Sequence, residues 1–438
     1  MGITKMILRF GLILPACLVA LQVSAAPDIQ HWTSKHGAHV YYVHAPGLPI
    51  VDLQITFDAG SARDGKQSGL SSMTSHMLGM GAGNLDATQI AQRFEGVGAE
   101  FGHDADRDRG WVKLRSLSQK KWLDPAIETL ALVLEKPTFA KADFKREQKR
   151  YLISLKREKQ NPGKIASRAF YKAAYGDHPY AQMPNGTEQS IKALTADDLK
   201  RFHKRYYVAN NATVAIVGDL DRKAAAKLVD TLIKNLPAGK RPAPLPKVPE
   251  LTEAKTIRIS HPSSQTHVYM GHPGTYRGDP DYFVTYLGNH ALGGSGLVSR
   301  LSDEVREKRG LSYSVYSYFG PLARKGLFQV GMQTKNDQAD LGIKVLRQTI
   351  RDYLDKGMTE KELVASRKNI TGGFPLRIDS NKKILGYLSM IGFYRLPLTY
   401  LDEFNGKIEA ITLEQIHETL RRRIHPERMV TVIVGGDK

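Results

Sequence analysis

Apolar and polar residues alternate along "IVDLQITFDAG" (50–60), the period-two pattern of a half-buried strand, and "TIRISHPSSQTHVYMGHPG" (256–274) predicts strands at the matching place later in the chain. Longer helical patterns predict helices over 86–97, 123–135, 141–160 and 339–356. The strongest pattern is a repeat. "SIKALTADDLKRFHKRYYVANNATVAIVGDLD" (190–221) aligns without a gap on "KIEAITLEQIHETLRRRIHPERMVTVIVGGDK" (407–438), from Ser190 on Lys407 to Asp221 on Lys438. Each copy opens a helix with a threonine cap and a polar partner three residues on, Thr195 with Asp198 and Thr412 with Gln415. Each then runs through a basic helix into a Val/Ile-rich strand that ends at Val–Gly. A duplicated unit explains this order. The expected fold is α+β: two tandem homologous α/β sandwich domains, each with helices packed on one face of a mainly antiparallel sheet. The proline-rich stretch "LPAGKRPAPLPKVPE" (236–250) predicts an extended linker, so the halves are expected at 26–236 and 251–438 with 237–250 between them.

The first residues follow another pattern. Lys5 and Arg9 precede an apolar run from Phe10 to Val23, followed by "VSA" before Ala26. This is the order of a secretory signal, with cleavage expected after Ala25 and a periplasmic or secreted mature chain. The run is short and broken by Pro15, which argues against stable membrane insertion. The competing reading takes "LPAC" as a lipoprotein site acylated at Cys17. Cys17 is the sole cysteine, so a chain cut after Ala25 has no disulfide, thiol nucleophile or cysteine metal ligand. The net charge of +19 suits anionic partners, although export argues against nucleic acid.

Four stretches carry a family resemblance: "GLSSMTSHMLGMGAG", "FEGVGAEFGHDADRD", "YGDHPYAQMPNGTEQSIKALTADDLKRFHKRYYVANNATVAIVGDLD" and "LGGSGLVSRLSDEVREKRGLSYSVYSYF". The chain resembles the pitrilysin/insulinase family of zinc metallopeptidases, in particular its bacterial two-domain members. In that family an H-x-x-E-H helix supplies two zinc-ligating His and a Glu that activates water, and a downstream Glu completes the ligands. The resemblance places Ser72 at the first His, Ser75 at the catalytic Glu and His76 at the second His. The third-ligand window holds Leu152, Ile153 and Ser154. One imidazole among hydroxyls falls short of the three strong ligands that catalytic zinc requires, so no metal or other cofactor is expected on this chain. Glu147 and Glu158 share the predicted helix but lie off the expected register. The family's edge-strand pattern is also altered, reading "GHDAD" over 102–106.

The second half differs. Arg306 and Tyr313, spaced R-x₆-Y in "VREKRGLSYSVYS", resemble the family's substrate-holding, oxyanion-stabilising pair, with Arg309 as the alternative cation. A lost zinc motif beside a retained Arg/Tyr motif resembles the non-zinc subunit of a heterodimeric peptidase. That resemblance implies a zinc-bearing homologue as partner, with the metal in the partner, and extended or unfolded peptides as substrates. The competing expectation is a peptide-binding or scaffolding protein with no part in hydrolysis. "LGGSG" (292–296) lacks a P-loop lysine, so a tight turn or chamber-lining loop is expected there. His261, His267 and His272 lack ligand spacing.

Overall fold

The computed structural model describes residues 26–436; the export-signal reading of residues 1–25 lies outside them. The strands are β1 (Gln30–Thr33), β2 (His39–His44), β3 (Ile50–Phe57), β4 (Gly81–Ala82), β5 (Leu85–Asp86), β6 (Glu100–Ala105), β7 (Gly110–Leu117) and β8 (Ala212–Gly218), then β9 (Lys255–Ile259), β10 (Gln265–Pro273), β11 (Ser312–Gly320), β12 (Leu327–Lys335) and β13 (Val430–Val434). The helices of the first half are α1 (Leu70–Met77), α2 (Ala87–Glu95), α3 (Lys120–Glu135), α4 (Lys141–Glu158), α5 (Pro162–Tyr175), α6 (Glu188–Ala193), α7 (Ala196–Tyr206) and α8 (Arg222–Ile233). Those of the second are α9 (Tyr282–Asn289), α10 (Ala339–Lys356), α11 (Glu360–Gly373), α12 (Asn381–Tyr394), α13 (Phe404–Glu409) and α14 (Leu413–Arg423).

Two sheets organise these elements. The first has the order β1-β2-β8-β3-β7-β6 and the second, read from the other edge, β9-β13-β10-β12-β11. Apart from β1 the orders correspond strand for strand. The parallel pair β2/β8 matches the parallel pair β9/β13, and the other main-sheet pairings are antiparallel. The repeat is therefore a repeat of structure. Helices α7 and α14 begin and end at aligned positions, Ala196 on Leu413 and Tyr206 on Arg423, and both carry full capping boxes at Thr195/Asp198 and Thr412/Gln415. The recurring glycines have a common cause. A Cβ on Gly218 would lie 2.3 Å from the Ile50 carbonyl oxygen, and one on Gly435 would lie 2.7 Å from Thr266 Cα, so the backbones approach too closely for a side chain.

The strand over 50–57 is not half-buried as its alternation predicts: every residue of β3 after Ile50 is buried. The reason is an exchange of helices. Helix α12, from the second half, packs on β2, β3 and β8 of the first sheet, and α5, from the first half, packs on β10 and β13 of the second. Each sheet is thus covered on both faces, its own helices on one and the other half's helix on the other. Alternate residues of β8 divide between two cores: Val214 and Ile216 join the first-half core, while Ala215 and Val217 join the core that contains Leu385, Leu388 and Ile391 of α12. Fully buried Leu388 and Ile391 each contribute about 2 kcal/mol of apolar burial. Part of the polar face of β3 is satisfied across the junction, where Gln54 Nε2 donates to Ser389 Oγ at 2.6 Å and to Thr56 Oγ1 at 2.9 Å. A third core joins Ala166 and Phe170 of α5 to Val430, Val432 and Val434 of β13.

The junction closes on Asp108, 2 % exposed, in the β6–β7 turn. Its Oδ1 accepts from the Tyr180 hydroxyl at 2.5 Å; its Oδ2 accepts from the Ala323 N–H at 2.8 Å and the Tyr394 hydroxyl at 2.9 Å. Burial holds this carboxyl above its ordinary range, and the three donors pull it back only in part. Replacing Asp108 with Ala leaves two buried phenols and an amide without their acceptor. The expected loss is about 3 kcal/mol, read as a lower urea midpoint at unchanged slope. A loss below about 0.5 kcal/mol would mean that the junction does not rely on this carboxylate.

Candidate functional site

Helix α1 is set by a buried carboxylate ahead of it. Asp64 accepts from the Gly69 N–H (2.7 Å) and the Ser71 N–H (2.8 Å), and so satisfies the donors that the helix start leaves open. Burial drives the Asp64 carboxyl up to about 7, against the pull of these bonds. The buried positions of α1 are mostly small or flexible, Ser71, Thr74 and Ser75 with Met73 and Met77, which lets α7 pack closely on it. Ser72 and His76, four residues apart, share the half-buried face.

His76 is not an isolated imidazole. Its Nε2–H donates to Glu147 Oε2 at 3.0 Å, and Glu147 is 1 % exposed on the facing helix α4. Arg146 Nε (3.0 Å) and Arg150 Nη1 (3.2 Å) approach the other carboxylate oxygen. Burial opposes ionisation of Glu147, yet the bonds from His76 and Arg146 prevail and hold its carboxyl below the usual range. His103, on the edge strand β6, places its ring 6.1 Å from that of His76. Burial first, and the neighbouring His76 second, push His103 down to about 4, so it is neutral at physiological pH. Ser75 is buried, and its Oγ has no hydrogen-bond partner among the described residues. Ser154 is exposed on α4, two turns beyond Glu147. The donor set does not suit zinc: His76 already bonds a carboxylate held by arginines, and Ser72, Ser75 and Ser154 offer only neutral hydroxyls. Among the described residues, no three His, Cys, Asp or Glu side chains converge to hold a metal ion. Register counting passes over Glu147. Its signal in the sequence is a position seven residues before Ser154, which puts both on one face of α4.

The other candidate cluster forms at the second sheet's edge. Arg306 lies on a π-helical turn, Ser302–Glu307, and Gly310, with φ of 61°, reverses the chain into β11. The β11–β12 register slips between Ser312 and Ser314, making Tyr313 the extra residue of a bulge. Ser312 Oγ donates to the Ser314 and Gln333 carbonyls and pins the bulge. Tyr313 is consequently turned outward, 84 % exposed. The Arg306 guanidinium sits 4.8 Å from its ring centroid, within cation–π range. Arg309 is engaged elsewhere, donating to Glu304 Oε2 at 2.6 Å and to the Glu304 carbonyl at 2.7 Å. Of the two cations, Arg306 is the one beside the phenol.

The remaining candidates fall outside both clusters. "LGGSG" starts in another π-helical turn, His290–Gly294, and runs past its end; residues 293–296 line a cavity of about 650 Å³ with Tyr286, Tyr316 and Arg377. His272 spends both ring nitrogens on backbone, donating from Nδ1 to the Pro273 carbonyl and accepting from the His425 N–H at Nε2. "GHDAD" lies on and just past β6, where Asp106 forms a two-pronged pair with Arg109. No helix among the described residues is long and apolar enough to cross a membrane.

A duplicated α/β sandwich with a dismantled metal motif in one half and an exposed tyrosine beside a half-buried arginine in the other defines a metallopeptidase-like protein with no zinc donor set among the described residues. Comparison with known proteins supplies the family. Residues 39–188 match the family described as "Insulinase (Peptidase family M16)", and residues 193–370 match "Peptidase M16 inactive domain". The chain belongs to peptidase family M16, and residues 193–370 are of that family's inactive-domain type. It is 26% identical to the "Non-peptidase homolog YmxG" of Helicobacter pylori, over 89% of this chain and 90% of that protein. It is 25% identical to the "Uncharacterized zinc protease YmxG" of Bacillus subtilis, over 90% and 95%. A crystal structure described as a peptidase M16 inactive domain, from Pseudomonas fluorescens, superposes with a TM-score of 0.91 at 38% identity, covering 94% of this chain and 99% of that one.

The Glu147 pair makes a pH-dependent prediction. Because its folded pKa is depressed, its stabilisation is complete above the ordinary glutamate value of 4.5 and lost as pH falls through the folded value. Glu147→Gln is expected to lower stability by about 1 kcal/mol near neutrality. The gap from the unmodified chain should close as urea titrations are repeated below pH 4.5. A gap that stays constant or widens on acidification would contradict the assignment.

Proposed function

We propose that this chain is the non-zinc-binding subunit of a heterodimeric metallopeptidase. It is exported under the direction of the segment ahead of Ala26 and pairs with a zinc-bearing homologue to enclose extended peptides. The homologue hydrolyses the peptide bond with its own metal. This chain contributes Arg306 and Tyr313, which hold the substrate and stabilise the charge that develops on the scissile carbonyl oxygen. The observation that carries the reading is Tyr313, projected from a bulge to 84 % exposure with Arg306 beside it. A phenol O–H and a guanidinium aimed at developing negative charge act mainly on the transition state. The intrachain contact of Arg306, to Glu307 at 3.4 Å, is a surface pair of little energetic weight and leaves the cation available. Ser72, Ser75 and Ser154 at the zinc-motif positions support placing the metal in the partner.

The name "Non-peptidase homolog" of the Helicobacter pylori relative favours a second reading, a peptide-binding scaffold with no part in hydrolysis. Tyr313→Phe separates the two, because it removes one hydroxyl and keeps the ring. Co-expressed with a zinc-bearing homologue and recovered from the exported fraction, the pair is expected to cleave an unfolded peptide. Tyr313→Phe should lower kcat about 100-fold with a small change in KM. Full activity in the variant pair would favour the scaffold; failure of the two chains to associate would remove the heterodimer.

A further inference from the structure

One cavity at the junction of the two halves, of about 380 Å³, is lined by none of the residues of the His76 or Arg306/Tyr313 clusters. Five arginines line its wall: Arg63, which is paired with Asp58, and four more from four separate segments, Arg241 from the linker, Arg277 after β10, Arg324 from the β11–β12 turn, and Arg395 at the end of α12. Among the described residues, none of the four forms a salt bridge with a carboxylate. The two carboxylates lining the same cavity are already committed. Asp58 is held by Arg63 through two bonds of 2.7 and 2.6 Å, and Asp108 accepts from Tyr180, Tyr394 and the Ala323 N–H. Of the four, Arg324 has a neutral partner, the Leu245 carbonyl at 2.6 Å, while the buried Nε of Arg277 has no partner among the described residues. Burial first, and the positive charge of Arg395 second, lower the pKa of Arg241, so these two guanidinium groups act on each other.

Such crowding is unfavourable until an anion enters. Guanidinium forks match the paired oxygens of phosphoryl and carboxylate groups, and a concave wall focuses their field. The volume lies within the range of roughly 300–1,000 Å³ usual for small-molecule sites. We propose that this cavity binds a small multivalent oxyanion, which bridges the linker to the second half beside Asp108.

The test is calorimetric titration of the full chain at low ionic strength with sodium tripolyphosphate and, separately, with citrate. Saturable binding at one equivalent is expected, weakened about tenfold or more in Arg241→Gln/Arg395→Gln. A control pair at the exposed end of α4, Lys156→Gln/Arg157→Gln, should bind as the unmodified chain does. Tripolyphosphate carries the higher charge near neutral pH, so its tighter binding identifies charge density as the recognised feature, and equal or tighter binding of citrate identifies carboxylate geometry; both support the site. Without anion, the double variant should unfold at the same temperature as the unmodified chain or higher, since mutual repulsion has been relieved. A lower unfolding temperature would mark these arginines as structural and overturn the proposal. So would the absence of saturable binding, or an equal loss of affinity in the control pair.

Discussion

Asp108 accepts hydrogen bonds from both halves of the chain at once, and the junction is arranged around it. Tyr180 follows the exchanged helix α5 and Tyr394 is the last residue of the exchanged helix α12, so one buried carboxylate pins the ends of both. The Tyr175 hydroxyl, donating to the Lys325 carbonyl at 3.2 Å, adds a second tie between α5 and the β11–β12 turn. Because each sheet borrows its second cover from the other half, neither half buries its sheet alone. A buried ionisable group is a costly way to join two surfaces. Here its three donors come from three separated segments, which fixes the register of the halves in a way that apolar contact alone does not.

Much of this architecture was legible in the chain. The gapless match between the two copies carries through the caps, helices and central strands because each copy must solve the same local problem: start a helix, reverse, and enter a sheet centre. The helix exchange was not legible. Alternation along β3 records side-chain polarity, and Gln54 and Thr56 are polar, yet they face Ser389 rather than water. A buried polar contact between positions so distant in the chain, Gln54 and Ser389, leaves no periodic trace. Nearly unbroken apolar runs in β8 and β13 were the available hint that both faces are covered.

The candidate sites divide similarly. Absence of the zinc ligands follows from residue identity alone, since no arrangement of Ser72, Ser75 and Ser154 substitutes for imidazole and carboxylate. The partner of His76 required the structure: the count aimed at residues 152–154, and Glu147 lies two turns earlier on the same helix face. The choice between Arg306 and Arg309 also required it, because Glu304 engages Arg309 and a one-residue bulge turns Tyr313 outward. The two halves have thus diverged in opposite senses. In the first, the ligand-type residues His76 and Glu147 bond each other. In the second, a phenol stands exposed with a half-buried guanidinium beside it.

That asymmetry is what motivates the proposal that chemistry is completed in trans. The most direct measurement is the rate of peptide hydrolysis by a fixed amount of a zinc-bearing homologue as this chain is titrated in. The account predicts negligible activity for this chain alone and a rate that climbs to a plateau at one equivalent. A rate indifferent to the added chain, or peptide cleavage by this chain alone, would contradict it.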